Sequence, residues 1–316
     1  MEFDQIIGNE PIKAFLQASK NINNTLLFHG QDGIGKSLFA KALAVKLMEG
    51  LSSRIDAENH PDFYVFYPEI TSGNHSIEKM RFLIDEVYKP PFEAKRKVFL
   101  IHDAHKMLPS SANAILKTLE EPTLDSTIIL LSSRKDLLLP TIVSRCLTLS
   151  FKPLLEEEIK EVLVAKHSVD PIDADKIAYR AEGSLGNALI YSHDLSFQKK
   201  SDLLFGILQN PEGSILFDNA EKIQALIDEE KKNKETKPKH IELLSSQILM
   251  WYRDRASSSF SKLYYPEYNN LKKPSFTIEK IIHSLELMDE ALERNIKFST
   301  CLIDFFLSNM PSKAFV

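Results

Sequence analysis

Residues 25–48, Thr-Leu-Leu-Phe-His-Gly-Gln-Asp-Gly-Ile-Gly-Lys-Ser-Leu-Phe-Ala-Lys-Ala-Leu-Ala-Val-Lys-Leu-Met, decide the fold of this chain. An apolar run at 26–28 predicts a short strand, and a glycine-rich turn follows it. The turn matches the phosphate-binding pattern G-x4-G-K-[ST] at each fixed position, namely Gly30, Gly35, Lys36 and Ser37. A helix with a 3.6-residue apolar stripe is predicted next. The stripe comprises Phe39, Ala40, Leu43, Ala44 and Leu47.

Each residue type in this turn suits a bound anion. Gly30, Gly33 and Gly35 let the backbone adopt positive φ and bring N–H groups close to phosphate. We expect Lys36 to reach the β and γ phosphates of ATP, and the Ser37 hydroxyl to hold Mg²⁺. The positive N-terminal end of the helix adds to the attraction. The alternative is a vestigial turn that is kept for folding and binds no ligand.

Length and composition indicate a soluble protein of more than one domain. The chain has 316 residues, and because domains usually hold ~100–200 residues, two or three are expected. A hydrophobic content of 43% and a charged content of 26% are typical of globular proteins. The net charge of −5 argues against a broad basic surface that binds DNA unaided.

The cysteines and the N-terminus bear on the compartment. Cys146 and Cys301 are far apart and form neither a disulfide framework nor a C-x-x-C metal pair. The first residues, Met-Glu-Phe-Asp-Gln, lack the basic and apolar regions of a signal peptide. No apolar run approaches ~20 residues, so no membrane helix is expected. We therefore expect a cytoplasmic protein.

Strands and helices alternate up to residue 152. Besides the strand before the glycine turn, strands are predicted at 63–67, 98–101, 127–131 and 147–151. Helices are predicted at 10–20, 76–88 and 110–121. This alternation indicates a parallel sheet with its ligand at the carboxyl ends of the strands.

Beyond Lys152-Pro153 the pattern is helical. Helices are predicted at 156–166, 174–181 and 183–190, and a helical pattern runs from 197 to the end with breaks at 210–213 and 265–266. The charged run 229–240 is expected to be solvated helix or loop, without a functional role.

Further motifs follow one another in a fixed order along the chain: Phe3 to Gly8, His60-Pro61-Asp62, Ala112 to Pro122, Ser144-Arg145-Cys146, Gly183-Ser184-Leu185 and Trp251 to Asp254. Together with the glycine turn, these motifs resemble the clamp-loader branch of the AAA+ ATPases, and within it the bacterial DNA polymerase III delta-prime subunits. The resemblance is strong over roughly residues 1–190 and thinner beyond.

The resemblance implies an α/β fold in three parts. These are a P-loop AAA+ parallel-sheet domain at 1–152, a small three-helix lid at 153–195 and an all-α collar domain at 196–316. It also implies DNA replication as the process and a hetero-oligomer as the assembly. Five subunits form an open ring that uses ATP to place the sliding clamp on primer–template DNA. The expected partners are the tau/gamma and delta subunits, with the clamp and DNA reached through the complex and no membrane involved.

The second acidic motif of the family is incomplete in this chain. In the family an Asp holds Mg²⁺ through water and the following Glu orients the attacking water. One register places His102 and Asp103 at these positions, and the other places Asp103 and Ala104 there. Either way one acid is missing, and because Mg²⁺ prefers oxygen ligands an imidazole is a poor substitute. We expect little or no hydrolysis by this chain alone. The structural alternative for Asp103 is a capping residue for the following turn.

The resemblance assigns two sensor positions. Ser132 or Ser133, at the end of the 127–131 strand, corresponds to the sensor-one hydroxyl that contacts the γ-phosphate. The sensor-two arginine normally follows Gly-Ser-x, but Gly186 and Asn187 follow Gly183-Ser184-Leu185 in this chain. No arginine is available in either register, which favours a stator over a motor.

Arg145 is the expected catalytic residue, acting in trans. In the resembling proteins the Ser-Arg-Cys arginine reaches the ATP of the neighbouring subunit. A guanidinium placed on the transferring phosphoryl group neutralises its developing charge, and such fingers are worth ~10³–10⁵ in rate. Lysine lacks the planar fork that this role needs. The alternative role is a structural salt bridge, and Cys146 is most simply a small buried hydrophobe.

Two other features are expected to lack a special role. Many relatives carry a four-cysteine zinc module before His60-Pro61-Asp62, but residues 49–59 contain no cysteine, so zinc is not expected. Trp251, Tyr252 and Arg253 are candidates for a partner surface, although an aromatic pair on a helix is more often part of a core.

The sequence therefore favours a delta-prime-type clamp-loader subunit that binds ATP and Mg²⁺ with weak or no hydrolysis and donates Arg145 to its neighbour. Two rivals stay open. One is an active AAA+ ATPase, either a motor subunit of the loader or a helicase loader. The other is a structural subunit with a dead P-loop.

Overall fold

The computed structural model describes residues 2–19, 22, 24–49, 52–69, 72–123, 125–211, 213–232, 238–256, 262–268 and 277–309. The chain divides into two compact units, Met1–Ala188 and Leu189–Val316. The first unit combines a sheet with helices, and the described part of the second is helical. The finer division at 152 and 195 stays a prediction.

A five-stranded parallel sheet forms the centre of the first unit. Its strands are β1 (Thr25–His29), β2 (Phe63–Phe66), β3 (Lys97–Ile101), β4 (Ser126–Ser132) and β5 (Leu147–Ser150). They lie in the order β2-β3-β4-β1-β5, and each neighbouring pair is parallel. The connections that leave β4 and β1 run in opposite directions, and a ligand crevice forms at such a switch point. The predicted α/β fold with a parallel sheet is confirmed.

Helices cover both faces of this sheet. They are α1 (Glu10–Ala18), α2 (Lys36–Met48), α3 (Ser52–Asp56), α4 (Ile77–Val87), α5 (Pro109–Glu120) and α6 (Pro140–Val143). Leu26 and Phe28 of β1 pack into one buried cluster with Phe39 and Leu43 of α2. Leu27, between them, joins a second cluster with residues of α4, α5 and α6. Because alternate side chains point to opposite faces, strands covered on both sides read as continuous apolar runs.

The Asp62 carboxylate organises the loop before β3. Asp62 is fully buried, and its oxygens accept backbone N–H groups of Phe92 at 2.7 Å and of Glu93 and Ala94 at 2.9 Å. Burial alone would raise the pKa of Asp62, but these three donors outweigh it and hold the pKa below its ordinary value. The carboxylate therefore fixes a loop of the fold.

Three more helices follow the sheet, namely α7 (Glu156–His167), α8 (Pro171–Arg180) and α9 (Leu185–His193). The turn before α9 is tied to the turn before α7, because the Leu154 N–H donates to the Gly183 carbonyl at 2.9 Å. Gly183 has φ +82°, and a Cβ there would lie 2.4 Å from the Cβ of Pro153. Only glycine fits this close approach.

The second unit contains α10 (Leu195–Gln209), α11 (Ser214–Lys232), α12 (Pro238–Ala256), α13 (Ile278–Glu293) and α14 (Phe298–Ser308). Its described residues contain no strand, as predicted for the C-terminal part. Trp251 and Tyr252 are buried, which agrees with a core role. The Arg255 guanidinium lies 3.4 Å from the ring centre of Trp251, and Arg253 lies 4.5 Å from that of Tyr264.

Two residues of the charged run at 229–240, Glu230 and His240, differ from the prediction, whereas Glu229 is exposed as predicted. Lys200 of α10 is fully buried, and its ammonium contacts Glu230 at 2.7 Å and His240 at 3.3 Å. His240 is 2% exposed and the Glu230 side chain is 12% exposed, so both belong to a largely buried polar cluster. Sequence pattern missed this because the partner lies 30 residues away in another helix. Residues 233–237 lie outside the described part.

The described residues include no helix that combines the length and the apolar character of a membrane span.

Candidate functional site

The glycine-rich turn lies between β1 and α2, at the carboxyl end of the sheet. Gly33 and Gly35 have φ values of 76° and 99°, which side chains with a Cβ rarely adopt. A Cβ on Gly30 would lie 2.6 Å from the backbone oxygen of Phe151. The pattern residues therefore take the conformations that the motif predicts, and the turn leads directly into the first turn of α2 at Lys36 and Ser37.

The Lys36 ammonium is already held inside this turn. Its Nζ donates to the backbone oxygens of Gly30 at 2.6 Å and Gln31 at 2.7 Å, and it lies 3.3 Å from Asp32 Oδ1. The side chain is 8% exposed. A cation beside backbone N–H groups at a helix N-terminus suits an anion, and Lys36 would exchange one of these three acceptors for a phosphate oxygen.

Ser132 lies next to the turn. It is the last residue of β4, pairs in register with His29 of β1, and accepts the Gly30 N–H on its carbonyl at 3.1 Å. Its hydroxyl accepts the Arg134 N–H at 3.2 Å. The strand order brings Ser132 to the phosphate turn, which sequence separation alone does not reveal. Of the two predicted serines, Ser132 is the one within the strand.

His105 is a site residue that the sequence analysis missed. Its Nδ1 lies 3.2 Å from the Ser132 hydroxyl. Burial lowers the pKa of His105, the Asp103 charge opposes this shift, and the ring is neutral at pH 7. A histidine three residues after another gives no periodic signal. Only the pairing of β3 with β4 brings it to Ser132.

His102 follows β3 directly and stacks on Tyr67, with ring centroids 4.4 Å apart and planes at 22°. Its Nε2 is buried without a hydrogen-bond partner among the described residues. Burial lowers the pKa of His102, so the ring is neutral at pH 7. A neutral ring packed on an aromatic side chain does not supply the oxygen ligand that Mg²⁺ prefers.

Asp103 adopts a left-handed conformation with φ 47°. It precedes the short 3-10 turn Ala104–Lys106 and makes no side-chain capping bond there. Its Oδ2 lies 3.3 Å from the Lys106 ammonium. The carboxylate is therefore engaged by a neighbouring cation, and capping does not account for it.

Phosphate fits this site better than a metal ion does. The turn offers positive-φ glycines, the Lys36 ammonium and a helix N-terminus, which together suit a phosphate chain. Within the described ranges, no three His, Cys, Asp or Glu side chains gather as a metal site requires. Mg²⁺ would depend on the Ser37 hydroxyl, phosphate oxygens and water.

The turn before α9 contacts the phosphate turn directly. Ser184 is fully buried and its hydroxyl donates to the Asp32 carbonyl at 2.7 Å. The Gly186 N–H donates to the Gly33 carbonyl at 2.9 Å. This is where the resemblance places the sensor-two segment, and Gly186 and Asn187 stand there without a charge. The three-residue stretch Ser184 to Gly186 thus closes one side of the phosphate turn.

Arg145 lies near the amino ends of the strands, opposite to the phosphate turn. Leu147 of β5, two residues later, pairs with Leu26 near the start of β1, whereas the phosphate turn follows the end of β1. A strand of four residues spans roughly 10 Å, so Arg145 and the turn lie at opposite ends of β5. Its guanidinium contacts Glu120 and the Thr141 carbonyl, and 30% of the side chain is exposed. Cys146 is largely buried, which raises the pKa of its thiol to about 12.

The predicted residues thus divide into two groups. The phosphate turn and Ser132 meet at the carboxyl ends of the strands. Arg145 stands apart from them at the amino end of β5.

Comparison with known proteins relates the first part of the chain to DNA polymerase III subunits. Residues 10–155 match the family described as DNA polymerase III, delta subunit. A gamma subunit of DNA polymerase III from Buchnera aphidicola is 33% identical over 204 residues, which cover 59% of this chain and 56% of that protein. A delta' subunit from Bacillus subtilis is 33% identical over 154 residues, which cover 45% and 46%. The chain spans about half the length of these curated relatives.

A solved structure agrees with the fold. A DNA polymerase III gamma subunit-related protein from Thermotoga maritima superposes with a TM-score of 0.52 at 21% identity, covering 95% of this chain and 97% of that one. The family match over residues 10–155 and the delta' relatives show that this part of the chain is similar to DNA polymerase III subunits of the clamp-loader type, and the solved structure agrees with the fold.

Proposed function

We propose that this chain is the delta-prime-type, non-motor subunit of a DNA polymerase III clamp loader. In this role it binds ATP with little or no hydrolysis and donates Arg145 to the ATP of the adjacent tau/gamma-type subunit. Its other partner is a delta-type subunit, and the sliding clamp and primer–template DNA are reached through the complex. The cytoplasm is the compartment that we assign.

The position of Arg145 carries this proposal. The guanidinium lies at the end of β5 opposite to its own phosphate turn, so it does not serve the ATP of its own chain. It is partly exposed, which leaves it accessible to a neighbour. A planar guanidinium on a transferring phosphoryl group neutralises developing charge. Action in trans is therefore the role that this position supports.

The site of this chain supports weak hydrolysis. In ATP binding, the Lys36 ammonium and the N–H groups of the glycine turn would contact the phosphates. The Ser37 hydroxyl would bind Mg²⁺, and the Ser132 hydroxyl would contact the γ-phosphate. Hydrolysis also needs a carboxylate that orients water. His102 is packed on Tyr67 and Asp103 is engaged by Lys106, so neither is positioned for that task.

A reconstituted loader tests the trans role. The complex is assembled with the tau/gamma-type and delta-type subunits of the same organism, once with the unaltered chain and once with Arg145→Ala. ATP turnover at the receiving site is expected to fall about 10³-fold, with assembly unchanged. Arg294→Ala is the matched control, because Arg294 is also paired with a single glutamate, Glu290. An Arg145→Ala loader with undiminished ATPase activity would refute the role.

The isolated chain separates the two rival functions. Calorimetric titration with ATP and Mg²⁺ is expected to show binding that Lys36→Ala abolishes. Turnover of ATP by the isolated chain, with or without DNA, is expected to stay at background. Appreciable DNA-stimulated turnover would instead identify an active ATPase, and a titration without heat would identify a structural subunit.

A further inference from the structure

The Arg145 guanidinium is held from two sides. Its Nε and Nη2 donate to the same carboxylate oxygen, Glu120 Oε2, at 3.0 and 2.9 Å. Its Nη1 donates to the backbone oxygen of Thr141 at 3.0 Å. A lone exposed arginine would sample many rotamers, and these contacts restrict it to one orientation.

The contacts leave a defined part of the guanidinium available. Arginine has five N–H donors, and Glu120 takes one on Nε and one on Nη2 while Thr141 takes one on Nη1. One N–H therefore remains on each terminal nitrogen. Two such donors suit the oxygens of a phosphate group, because paired N–H groups form two parallel hydrogen bonds.

Glu120 is mounted on a fixed part of the fold. It is the last residue of α5, and the preceding Leu119 is buried. The Leu119 carbonyl also accepts the hydroxyl of Thr25, the first residue of β1, at 3.0 Å. The last turn of α5 is therefore tied to the sheet, and a side chain on such an element positions its partner accurately.

Folding stability gives only a weak reason for a glutamate at position 120. A negative side chain at a helix C-terminus meets the negative end of the helix dipole, which is unfavourable. The Glu120 side chain is 57% exposed, and exposed ion pairs contribute little to folding. The pair with Arg145 explains the carboxylate better than the helix does.

We propose that Glu120 is the positioning residue for Arg145, orienting the guanidinium so that its two remaining N–H donors meet the neighbour's triphosphate. This inference rests on the proposed trans role of Arg145. Because Glu120 uses a different set of N–H groups, it stays bonded when the phosphate is engaged. It acts through Arg145 and touches no substrate.

Steady-state kinetics of the reconstituted loader test the positioning role. Glu120→Ala removes both hydrogen bonds to Arg145, and kcat for ATP is expected to fall about tenfold with KM unchanged. Glu120→Gln keeps an acceptor oxygen and removes the charge, and its kcat is expected to stay within about threefold of the unaltered loader. Glu121→Ala is the matched control, since Glu121 is the next residue and is exposed.

Each other kinetic outcome overturns the inference. An unchanged kcat in Glu120→Ala would show that Arg145 needs no support from Glu120. A higher kcat would show that the pair restrains Arg145. Equal losses in the Gln and Ala variants would assign the effect to charge and not to hydrogen bonding.

A second measurement separates this inference from the proposed function. In the isolated, ¹⁵N-labelled full chain, the side-chain Nε–H signal of Arg145 is identified by its absence in Arg145→Lys. Its exchange with water is expected to speed up about tenfold in Glu120→Ala and to stay unchanged in Glu121→Ala. Suppose that Glu120→Ala speeds up Nε–H exchange but Arg145→Ala leaves the ATPase rate of the loader unchanged. The trans role of Arg145 is then wrong, while its pairing with Glu120 is confirmed. If the loader needs Arg145 but neither exchange nor kcat responds to Glu120→Ala, only the positioning role fails.

Discussion

The ring of His102 lies on the ring of Tyr67, 4.4 Å away between centroids, at the point where β3 ends. In one of the two registers, an imidazole therefore stands where the family pattern has an acid. Glu58 and Asp103 both influence the charge of this ring, so the surroundings already hold two carboxylates. A third carboxylate, at position 102, would lie close to these like charges, and the ring stacking on Tyr67 would be lost.

His102→Asp is therefore expected to destabilise the chain. The loss in the free energy of unfolding is about 1–3 kcal/mol, since a charged group would be buried without a partner. His102→Asn serves as the control, because it has a similar size and stays neutral, and its loss is expected to be smaller. Chemical denaturation followed by circular dichroism measures both. A His102→Asp chain as stable as the unaltered chain would contradict the account of this site.

Histidine burial predicts how stability depends on pH. His75 is fully buried, and its Nε2 lies 2.6 Å from the His102 backbone oxygen. Burial lowers the pKa of His75, and it does the same for His102 and His105. The unfolded chain has the ordinary pKa of about 6.5. The neutral rings therefore contribute full stability above about pH 6.5, and this contribution is lost as the pH falls through the lowered folded-state values.

The free energy of unfolding is expected to decline between pH 6.5 and 5, before carboxylates protonate. His75→Gln keeps a donor for the His102 carbonyl and removes one titrating ring, so its decline is expected to be shallower. His283→Gln, at a side chain that is 71% exposed, is expected to leave the slope unchanged. Denaturation curves at several pH values measure these slopes. A His75→Gln slope equal to that of the unaltered chain would refute the assignment.

Ser184 links the turn before α9 to the phosphate turn, through its 2.7 Å bond to the Asp32 carbonyl. Ser184→Ala is expected to weaken this attachment by about 1 kcal/mol, because the Asp32 carbonyl loses the hydroxyl that donates to it. Hydrogen exchange at the Gly186 amide, which donates to Gly33, is expected to become faster. Ser110→Ala, at an exposed position in α5, is the control. Unchanged exchange at Gly186 would show that the backbone bond alone holds this segment.

Lys200 is the buried cation of the second unit, bonded to Glu230 at 2.7 Å. Lys200→Ala leaves the Glu230 charge without its partner and is expected to cost about 3–5 kcal/mol. Lys199→Ala, on the exposed side of the same helix, is expected to cost little. Fluorescence of Trp251, the single tryptophan of the chain, reports unfolding of this unit.

A double variant tests the mechanism of that loss. Lys200→Met with Glu230→Gln removes both charges and is expected to recover much of the stability, because no ion remains buried alone. A double variant as unstable as Lys200→Ala would point to packing and not to charge.

Local sequence patterns determined the architecture of the first unit. The apolar runs at 98–101 and 127–131 predicted strands that are covered on both faces, and these strands are Lys97–Ile101 and Ser126–Ser132. The glycine turn was determined in the same way, since its conformation depends on residue types that are adjacent in the chain. Patterns of this kind depend only on residues that are close together in the chain, so they can be recognised from the sequence alone.

Only the tertiary structure decided which distant groups meet. Ser132 lies beside the phosphate turn because β4 pairs with β1, and His105 reaches it because β3 pairs with β4. Glu120 meets Arg145 across 25 residues, and Ser184 meets Asp32 across 152. Strand order and long-range packing depend on how all the buried surfaces fit at once. No local pattern encodes such contacts, and so the phosphate turn was visible in the sequence while the residues that surround and support the two sites were not.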